Sequence, residues 1–550
     1  TPQKCFHIDI FGINFFIFIY LYFIGEIMTK YIFVTGGVVS GIGKGISAAS
    51  IGRLLKDNGY DVFMQKFDPY LNIDPGTLSP YQHGEVFVTK DGGETDLDLG
   101  HYERFIDTEL TRNSSVSSGK IYASVIEKER RGYYGGNTVQ VIPHVTNEIK
   151  SKVYLAAKES NADIVITEIG GTVGDIESQP FLEAIRQIHS ENDRSDVLFI
   201  HTTLVPTIPG SNELKTKPTQ HSFKELMSSG IKANVFILRA DQIISDDIKE
   251  KRSLFCDIPK EAIIQSHTVD LIYEVPIRFK EQGLDKYIMK KLNLAPLKDL
   301  SDNWKNMVGK FKNAKKHIKL AIVGKYIQLE DSYLSLSQAL MDAGFNLNTV
   351  VDISFLDSEK INEENVREQL KDFDGILIPS GFGERGIEGM IETARYAREN
   401  NVPYLGVSLG LQISAIEFAR NVLGLKDANS VEFDSECKSP VVIRLQEINE
   451  KLGQYESKLK EGTVAYDAYK KEIIGERHRH SYILNREYIK EFEKNGMKIS
   501  ASDIDSNDVD IIEYKNNDFY VACQFNPEFI SRPNRPHPLL TRFIESILGK

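Results

Sequence analysis

Short apolar runs alternate with longer segments of helical character along most of this chain. In the first half, such runs occupy residues 31–35, 62–66, 162–168, 197–201 and 235–239. Each run is followed by a glycine-rich or polar stretch, which is typical of parallel strands joined by crossover helices. The pattern therefore predicts an α/β domain built on a parallel sheet.

The same pattern returns in the second half of the chain. Apolar runs at residues 318–324, 375–379, 404–407 and 519–524 predict a second α/β sheet. Residues 447–471 are instead highly charged and helical in character. We predict a solvated helical insertion there, because a stretch so rich in charge is expected to face water.

Between the two patterns, residues 285–316 are polar and lysine-rich, with only weak periodicity. A chain of 550 residues is long enough for two large domains. We therefore predict a first domain at residues 28–295, a linker at 296–317 and a second domain at 318–550.

Residues 1–27 differ from everything that follows. The stretch 11–24 is aromatic and aliphatic without a charge, yet it is shorter than the ~20 apolar residues that span a bilayer. It also lacks a basic segment followed by a small-residue cleavage site. Because a well-formed strand begins just after Met28, we interpret residues 1–27 as a non-native or upstream-translated extension and expect no membrane partner. A membrane anchor and a soluble extension are the alternatives.

Composition narrows the class of protein. The net charge of −12, with 26% charged residues, argues against a protein that coats nucleic acid, although basic residues can still cluster around phosphates. The four cysteines are scattered without a CxxC pair, at Cys5, Cys256, Cys437 and Cys523. This distribution argues against a disulfide framework or a zinc site and fits a cytoplasmic protein.

A glycine-rich loop follows the first predicted strand and opens a helix, with the sequence TGGVVSGIGKG at residues 35–45. Glycines let the backbone approach phosphates closely, N–H groups at a helix N-terminus bind them, and Lys44 adds a positive charge. The next residue is Gly45, where a standard P-loop has a serine or threonine that ligates Mg²⁺. We predict a nucleotide-phosphate site; the alternative is a tight turn without a ligand.

Carboxylates in the same half offer the metal ligands that Gly45 cannot supply. Residues 91–98, DGGETDLD, gather acids in a loop, and Glu168 ends a predicted strand. Hard oxygen ligands of this kind suit Mg²⁺ that bridges phosphates. Either segment alone is more typical of a solvated loop, but beside a phosphate loop we favour a metal site. The basic, hydroxyl-rich loop 215–220 can hold a second triphosphate.

The second half contains a different candidate site. Residues 402–412, VPYLGVSLGLQ, are typical of a strand that turns through a glycine-flanked elbow into a helix. That geometry places residue 408 at a nucleophile's position near a helix N-terminus, and the residue there is Ser408. Asn526 stands two residues before Glu528, where a general base is expected, and asparagine cannot accept a proton near neutral pH.

Several long motifs resemble those of the CTP synthase family over nearly all of residues 28–550. They are YIFVTGGVVS (31–40), DPGT (74–77), QHGEVFV (82–88), ETDLDLGHYERF (94–105), GGTVGDIES (170–178) and KTKPTQH (215–221). The resemblance implies a P-loop-type parallel-sheet amidoligase domain followed by a class I glutamine amidotransferase α/β domain. It also implies conversion of UTP to CTP: ATP phosphorylates the uracil 4-oxygen, and ammonia, normally delivered from glutamine through an internal tunnel, displaces that phosphate.

The resemblance assigns roles in the first domain. Lys44 and Lys66 would stabilise the charge that develops during phosphoryl transfer, and Asp98 and Glu168 would bind Mg²⁺. The positions implied for ATP are Ser40, Gly41, Ile42, Gly43, Lys44, Gly45, Ile46, Asp98, His267, Thr268 and Val269. Those implied for UTP, or for CTP as a feedback inhibitor, are Ser40, Asp175, Ile176, Glu177, Lys215, Thr216, Lys217, Pro218, Thr219, Gln220 and Lys251.

Departures from the family pattern concentrate in the second domain. Ser408 replaces the nucleophilic cysteine, and Asn526 replaces the base histidine before Glu528. Ser380 replaces a glycine of the oxyanion turn, and Ser481 replaces an arginine expected to hold the glutamine carboxylate. The other glutamine-site positions are Gly381, Leu409, Gly410, Leu411, Gln412 and Glu432. Because a serine nucleophile needs a partnered base, we expect glutamine hydrolysis to be lost.

Our interpretation is a CTP synthase that uses free ammonia and keeps its second domain as a scaffold. One alternative is a non-catalytic nucleotide-binding paralogue that regulates or copolymerises with an active synthase. The retained Lys44, Lys66 and Asp98 argue against it. Another is a glutaminase that uses Ser408, which requires His478 or His480 to reach it. We also expect a homotetramer, with GTP as a candidate activator.

Overall fold

A computed structural model describes residues 29–207, 210, 213–446, 448 and 450–549. The extension predicted at residues 1–27 lies outside the described residues. Among those that are described, every helix is too short or too polar to cross a membrane.

The first domain is built on seven parallel strands in the order β5–β2–β6–β1–β7–β8–β9, with a separate β3–β4 hairpin. The strands are β1 (Lys30–Gly37), β2 (Val62–Asp68), β3 (Phe87–Val88), β4 (Glu94–Thr95), β5 (Ser115–Ser117), β6 (Ile164–Ile169), β7 (Val197–Leu204), β8 (Val235–Ala240) and β9 (Ile263–His267). The five apolar runs predicted as strands are confirmed. They read as continuous apolar sequence because helices cover both faces of a parallel sheet.

Helices connect these strands and pack against the sheet. They are α1 (Lys44–Asp57), α2 (Pro80–His83), α3 (Asp98–Ile106), α4 (Ser118–Arg130), α5 (Thr146–Ser160), α6 (Gln179–Glu191), α7 (Lys217–Ser228), α8 (Asp246–Cys256), α9 (Val275–Glu281), α10 (Leu284–Lys291) and α11 (Ser301–Lys312). Helix α11 lies in the segment predicted as a linker. Its Trp304 is buried against Phe105 and Tyr273, and the indole Nε1–H donates to the Tyr273 carbonyl over 2.9 Å.

The second domain has a nine-stranded sheet in the order β11–β10–β12–β13–β21–β20–β19–β16–β17 and a small β14–β15–β18 sheet. The strands are β10 (Lys316–Gly324), β11 (Thr349–Asp357), β12 (Gly375–Ile378), β13 (Tyr404–Val407), β14 (Ala428–Ser430), β15 (Ser439–Arg444), β16 (Lys451–Leu459), β17 (Ile473–His480), β18 (Tyr482–Leu484), β19 (Met497–Asp503), β20 (Val509–Tyr514) and β21 (Tyr520–Cys523). The helices are α12 (Leu334–Asn346), α13 (Val366–Leu370), α14 (Ile387–Glu399), α15 (Leu409–Asn421), α16 (Val464–Tyr469), α17 (Ile489–Lys494) and α18 (Pro538–Leu548).

The helical insertion predicted at residues 447–471 is wrong for most of its length. Strand β16 occupies its centre and lies between β19 and β17 in the large sheet. Lys451, whose charge suggested exposure, is buried and pairs with Asp503 at 2.6 Å. Because a buried partner neutralises this charge, the segment can enter a sheet despite its polar sequence. Only the short helix α16 keeps the predicted conformation.

A buried ion cluster joins the two domains. Glu103, on helix α3 of the first domain, is fully buried and contacts Arg477 at 3.0 Å and also Arg532, both from the second domain. Its other carboxylate oxygen accepts the backbone N–H of Leu110 over 2.8 Å. Arg477 also donates to the Val88 carbonyl over 3.1 Å. Two guanidinium groups and one backbone N–H therefore compensate the buried carboxylate of Glu103.

We expect Glu103→Gln to lower the free energy of unfolding by about 3–5 kcal/mol, because removing the carboxylate leaves two arginines without their buried partner. The midpoint of thermal unfolding measures the effect. The control is Glu127→Gln, which breaks the exposed pair between Glu127 and Arg131 and is expected to change stability by less than about 1 kcal/mol. Equal midpoints for the two variants would contradict the role given to Glu103.

Candidate active sites

The loop after β1 forms a phosphate-sized turn at the start of helix α1. Gly41 and Gly43 have φ angles of 73° and 79°, a conformation that glycine adopts without strain. The Lys44 ammonium is largely buried and donates to the Gly171 carbonyl over 2.7 Å. Burial lowers the pKa of Lys44, while nearby carboxylates, Glu168 first, oppose that shift. The positions predicted for ATP at residues 40–46 therefore lie on one turn and one helix N-terminus.

Gly45 is a glycine because Asp98 occupies the space beside it. A Cβ atom at position 45 would lie 2.0 Å from Asp98 Oδ1 and 2.7 Å from Asp98 Cγ. The side chain that a standard P-loop carries here would collide with a carboxylate. The departure noted in the sequence thus has a physical reason: an acid on helix α3 stands where the P-loop hydroxyl would be.

Lys66 brings the predicted carboxylates together. Its ammonium contacts Asp98, lies 3.4 Å from Glu168 Oε1 and lies 3.8 Å from Asp96 Oδ1. Burial works against the charged form of Lys66, but the surrounding acids, Asp96 and Asp98 foremost, raise its pKa well above the usual value. Burial also disfavours the ionised form of Asp98, yet Lys66 beside it lowers the pKa of that carboxyl. For Glu168, burial prevails over Lys66 and raises the pKa.

The donor set fits a magnesium ion that arrives with a nucleotide. No group of three or more His, Cys, Asp or Glu side chains in the described part of the chain is arranged to hold a metal alone. Mg²⁺, however, is usually bound through one or two carboxylates together with substrate phosphates. Four acids, Asp68, Asp96, Asp98 and Glu168, surround the two ammonium groups of Lys44 and Lys66.

The remaining nucleotide positions lie along the same edge of the sheet. Asp175, Ile176 and Glu177 are exposed in the loop after β6. Residues 215–220 lead into helix α7, and Lys251 is exposed on helix α8. His267 ends β9, with Thr268 and Val269 just beyond it, and the Thr268 hydroxyl accepts from Arg239 over 3.0 Å. Ligands of α/β sheets bind at this carboxyl edge.

The predicted elbow is present in the second domain. Ser408 has φ 53° and ψ −100°, it caps the N-terminus of helix α15, and its N–H donates to the Cys523 carbonyl over 2.7 Å. A Cβ at Gly410 would lie 2.4 Å from the Ile378 carbonyl oxygen, so only glycine permits the helix to approach β12 this closely. The backbone of a nucleophile elbow is therefore complete around a serine.

No described residue is hydrogen-bonded to the Ser408 hydroxyl as a general base would be. Within the described residues, the Ser408 hydroxyl takes part in no hydrogen bond, whereas Asn526 Nδ2 donates to Glu528 Oε1 over 2.8 Å. Asn526 Oδ1 and Glu528 Oε2 are buried without a partner. The pair that would relay a proton thus consists of an amide and a carboxylate bonded to each other.

The two histidines considered as replacement bases bond elsewhere. His478 Nδ1 and His480 Nε2 lie 3.0 Å apart, and His480 Nδ1 contacts the Tyr482 carbonyl over 3.1 Å. Burial lowers the pKa of His480 to about 3, and it lowers the pKa of His478 well below the usual range. Both rings are uncharged at neutral pH. The structure does not bring either of them to Ser408 through a hydrogen bond.

The other predicted glutamine positions surround the elbow. Leu409, Gly410, Leu411 and Gln412 form the first turn of helix α15. Gly381 approaches Leu409 closely, and Glu432 accepts the Gly383 N–H over 2.7 Å. Ser481 stands between β17 and β18, where its carbonyl accepts the Leu445 N–H over 2.9 Å. A serine side chain is an uncharged hydroxyl, so it cannot form the bidentate ion pair that an arginine makes with a carboxylate.

A cavity of 110 Å³ lies between the two domains. The second domain contributes Ser380, Gly381, Asn526 and Glu528 to its wall, and the first domain contributes residues that include Glu85. Residues of the first and the second domain thus line the same cavity.

Two further residues belong to these sites and were missed in the sequence. The Tyr102 hydroxyl donates to Glu168 and so orients one predicted metal ligand. Tyr102 follows Asp98 by four positions on helix α3, a spacing that places both on one face and was a usable signal. Lys325 donates to the carbonyls of Phe382 and Gly383, and burial lowers its pKa to about 8. No sequence signal marked Lys325.

A phosphate-binding parallel-sheet domain joined to an elbow-bearing α/β domain defines an amidotransferase-linked ligase. The family model for the CTP synthase N-terminus matches residues 30–294, and that for class-I glutamine amidotransferases matches residues 328–546. The chain is 54% identical to the CTP synthase of Halalkalibacterium halodurans over 95% of this chain and 100% of that protein. It is 56% identical to the CTP synthase of Carboxydothermus hydrogenoformans over 95% and 99%.

Among solved structures, the glutaminase domain of Trypanosoma brucei CTPS with bound acivicin is 36% identical to this chain. The match covers 42% of this chain and 94% of that one, with a TM-score of 0.41. On the strength of the family models and the full-length relatives, the chain belongs to the CTP synthase family, a family of ligases. The predicted fold class is confirmed.

We expect Gly45→Ala to lower the rate of ATP-dependent CTP formation about 100-fold, because the new methyl group displaces Asp98 and misplaces a reacting group by about 1 Å. The turnover number with ammonium chloride, UTP and ATP measures the effect. Gly309→Ala is the control, since a Cβ at this site on helix α11 meets no atom within 4 Å. A Gly45→Ala enzyme as fast as the control would show that Asp98 does not need its observed position.

Proposed function

We propose that this CTP synthase aminates UTP with free ammonia and that its second domain does not hydrolyse glutamine. The observation that supports the proposal is that Asn526, an amide that cannot accept a proton near neutral pH, stands at the expected base position and donates a hydrogen bond to Glu528. A serine hydroxyl is a weak nucleophile unless an adjacent base removes its proton. The oxyanion turn carries Ser380, and Ser481 offers no cation to a glutamine carboxylate.

The first domain supports the synthase half of the reaction. Lys44 and Lys66 would neutralise charge on a phosphoryl group in transfer from ATP to the uracil 4-oxygen. Asp98 and Glu168 would hold Mg²⁺ against the phosphates, with Tyr102 fixing Glu168. Ammonia would then attack the uracil carbon that bears the phosphorylated oxygen, and phosphate would leave as the amine loses a proton. Fixed charges in a buried site stabilise such a transition state more than water does, since they need no reorganisation.

Binding and regulation follow the nucleotide loops. We assign UTP to Ser40, Lys251 and residues 215–220, ATP to residues 40–46 and 267–269, and feedback by CTP to residues 175–177. We retain the expected homotetramer, and the exposed apolar side chains of Ile126, Tyr133 and Ile176 offer surface that favours association. We retain GTP as a candidate activator. The free Cys256, Cys437 and Cys523 suit a cytoplasmic location.

The nitrogen source tests the proposal directly. CTP formation from UTP, ATP and Mg²⁺ is measured with ammonium chloride and, separately, with glutamine. We expect turnover with ammonium and none with glutamine, because only the second substrate requires a base at Ser408. Comparable rates with both would overturn the loss of glutaminase activity. CTP formation from neither, with nucleotides still bound, would favour the regulatory paralogue.

Restoration provides a second test of the same idea. Ser408→Cys alone should yield no glutaminase activity, because position 526 still carries an amide and not a base. Ser408→Cys with Asn526→His rebuilds nucleophile, base and carboxylate, and groups that act as a unit are strongly non-additive. We expect weak glutamate release from this pair, and more when Ser380→Gly and Ser481→Arg are added. Strong glutamine hydrolysis by Ser408→Cys alone would mean that another base is present.

A further inference from the structure

The cavity between the domains presents hydrogen-bond acceptors that have no partner among the residues the structure describes. Asn526 Oδ1 and Glu528 Oε2 are both buried without a partner, and both residues line the cavity. Their side chains are 2% and 5% exposed. Since a buried acceptor without a hydrogen bond is destabilising, two such atoms in the lining of one cavity favour a donor as its occupant.

The first domain contributes a carboxylate to the lining of this cavity. Glu85 of the first domain accepts the N–H of Ser335 over 2.7 Å and also its hydroxyl, and it lines the same cavity. Glu85 and Glu528 lie close enough that the charge of Glu85 raises the pKa of Glu528. A small ligand in this cavity would therefore contact hydrogen-bond acceptors from both domains.

The remaining surroundings suit a positive charge. The aromatic rings of Tyr326, Tyr333 and Phe529 line the cavity, and such rings attract cations. The one guanidinium on the wall, Arg479, is already paired with Glu94 at 2.8 Å and donates to the Gly76 carbonyl over 3.0 Å. Its charge is thus largely compensated before a ligand enters. The volume of 110 Å³ is enough to admit several water-sized groups.

We propose that this cavity is a binding site for the ammonium ion, with Glu528 Oε2 and Asn526 Oδ1 as acceptors from the second domain and Glu85 as an acceptor from the first. The inference rests on the proposed use of free ammonia. An ammonium ion is a small cation with four N–H donors, which matches a set of acceptors lacking donors. The substitution at position 526 thus replaces a base with a carbonyl oxygen that accepts from the nitrogen substrate.

The charge state of Glu528 makes this binding pH-dependent. Burial, opposed by the hydrogen bond from Asn526, raises the pKa of Glu528 to about 7, and burial raises the pKa of Glu85 to about 7 as well. The other charged group acting on Glu528 is Glu476; the Cys523 thiol is neutral because burial raises its pKa well above the usual value. Ammonium binding is therefore present above pH 7 and is lost as the pH falls through that value.

The test compares Glu528→Gln with the parent chain in CTP formation at pH 8, with ammonium varied and UTP and ATP saturating. Glutamine keeps the hydrogen bond to Asn526 and removes only the charge. We expect the KM for ammonium to rise 10- to 100-fold, as for loss of a charge-assisted hydrogen bond, while kcat and the KM for UTP stay within twofold. The matched control is Glu513→Gln, a buried carboxylate that binds the N–H groups of Val464 and Ala465.

Potassium provides a second readout, because K⁺ resembles ammonium in size and charge but cannot react. At constant ionic strength set with choline chloride, added K⁺ should raise the KM for ammonium in the parent and have no effect in Glu528→Gln. Crystals soaked in rubidium chloride should show anomalous scattering in the cavity of the parent and none in that variant. If Glu528→Gln does not fold, Asn526→Leu removes the amide oxygen at similar volume and should raise the same KM.

The outcomes separate this inference from the proposed function. An unchanged KM for ammonium in both cavity variants, with no rubidium in the cavity, would overturn the ammonium site while leaving ammonia-dependent synthesis intact. Absence of CTP formation from ammonium in the parent would overturn the proposed function. Rubidium in the cavity in that case would still support the cation site, and its absence would overturn it.

Discussion

The buried carboxylate of Glu103 is the interaction on which the relation of the two domains depends. It faces two arginines of the second domain, while the helix that carries it, nine residues long, begins at Asp98 beside the phosphate loop. The same helix places Tyr102 against Glu168. A shift of the second domain would therefore act on the helix that also carries Asp98 and Tyr102, beside the predicted metal ligands. This coupling gives the second domain a structural reason to persist even where it hydrolyses nothing.

The two sites differ in what each retains. In the first domain the charged residues predicted to act in phosphoryl transfer are present and paired: Lys66 bridges Asp98 and Glu168, and Gly45 leaves room for Asp98. In the second domain the backbone machinery is intact, whereas the side chains that would move a proton are missing. Backbone geometry is held by packing of many residues, so it survives substitutions that eliminate a reaction depending on two or three side chains.

Much of this arrangement could be predicted from the sequence, and the failures have physical causes. Strands such as β1 and β10 stood out in the sequence because they are buried apolar runs. Strand β16 did not, because the charge of Lys451 is cancelled by Asp503, which lies 52 positions away in the chain. Asp98 also packs against Gly45, and Glu85 lines the same cavity as Glu528. Both pairs likewise join distant segments. Local pattern carries no information on such pairings.

The elbow at Ser408 has a consequence for the stability of the second domain. A non-glycine residue held at positive φ costs about 1–3 kcal/mol, a strain that active sites usually maintain in exchange for exposing a nucleophile. Here the close approach of Gly410 to the Ile378 carbonyl fixes the turn independently of the side chain at 408. Under the proposed function, the domain bears this conformational cost without a reaction that uses it, so the elbow is a constraint inherited with the fold.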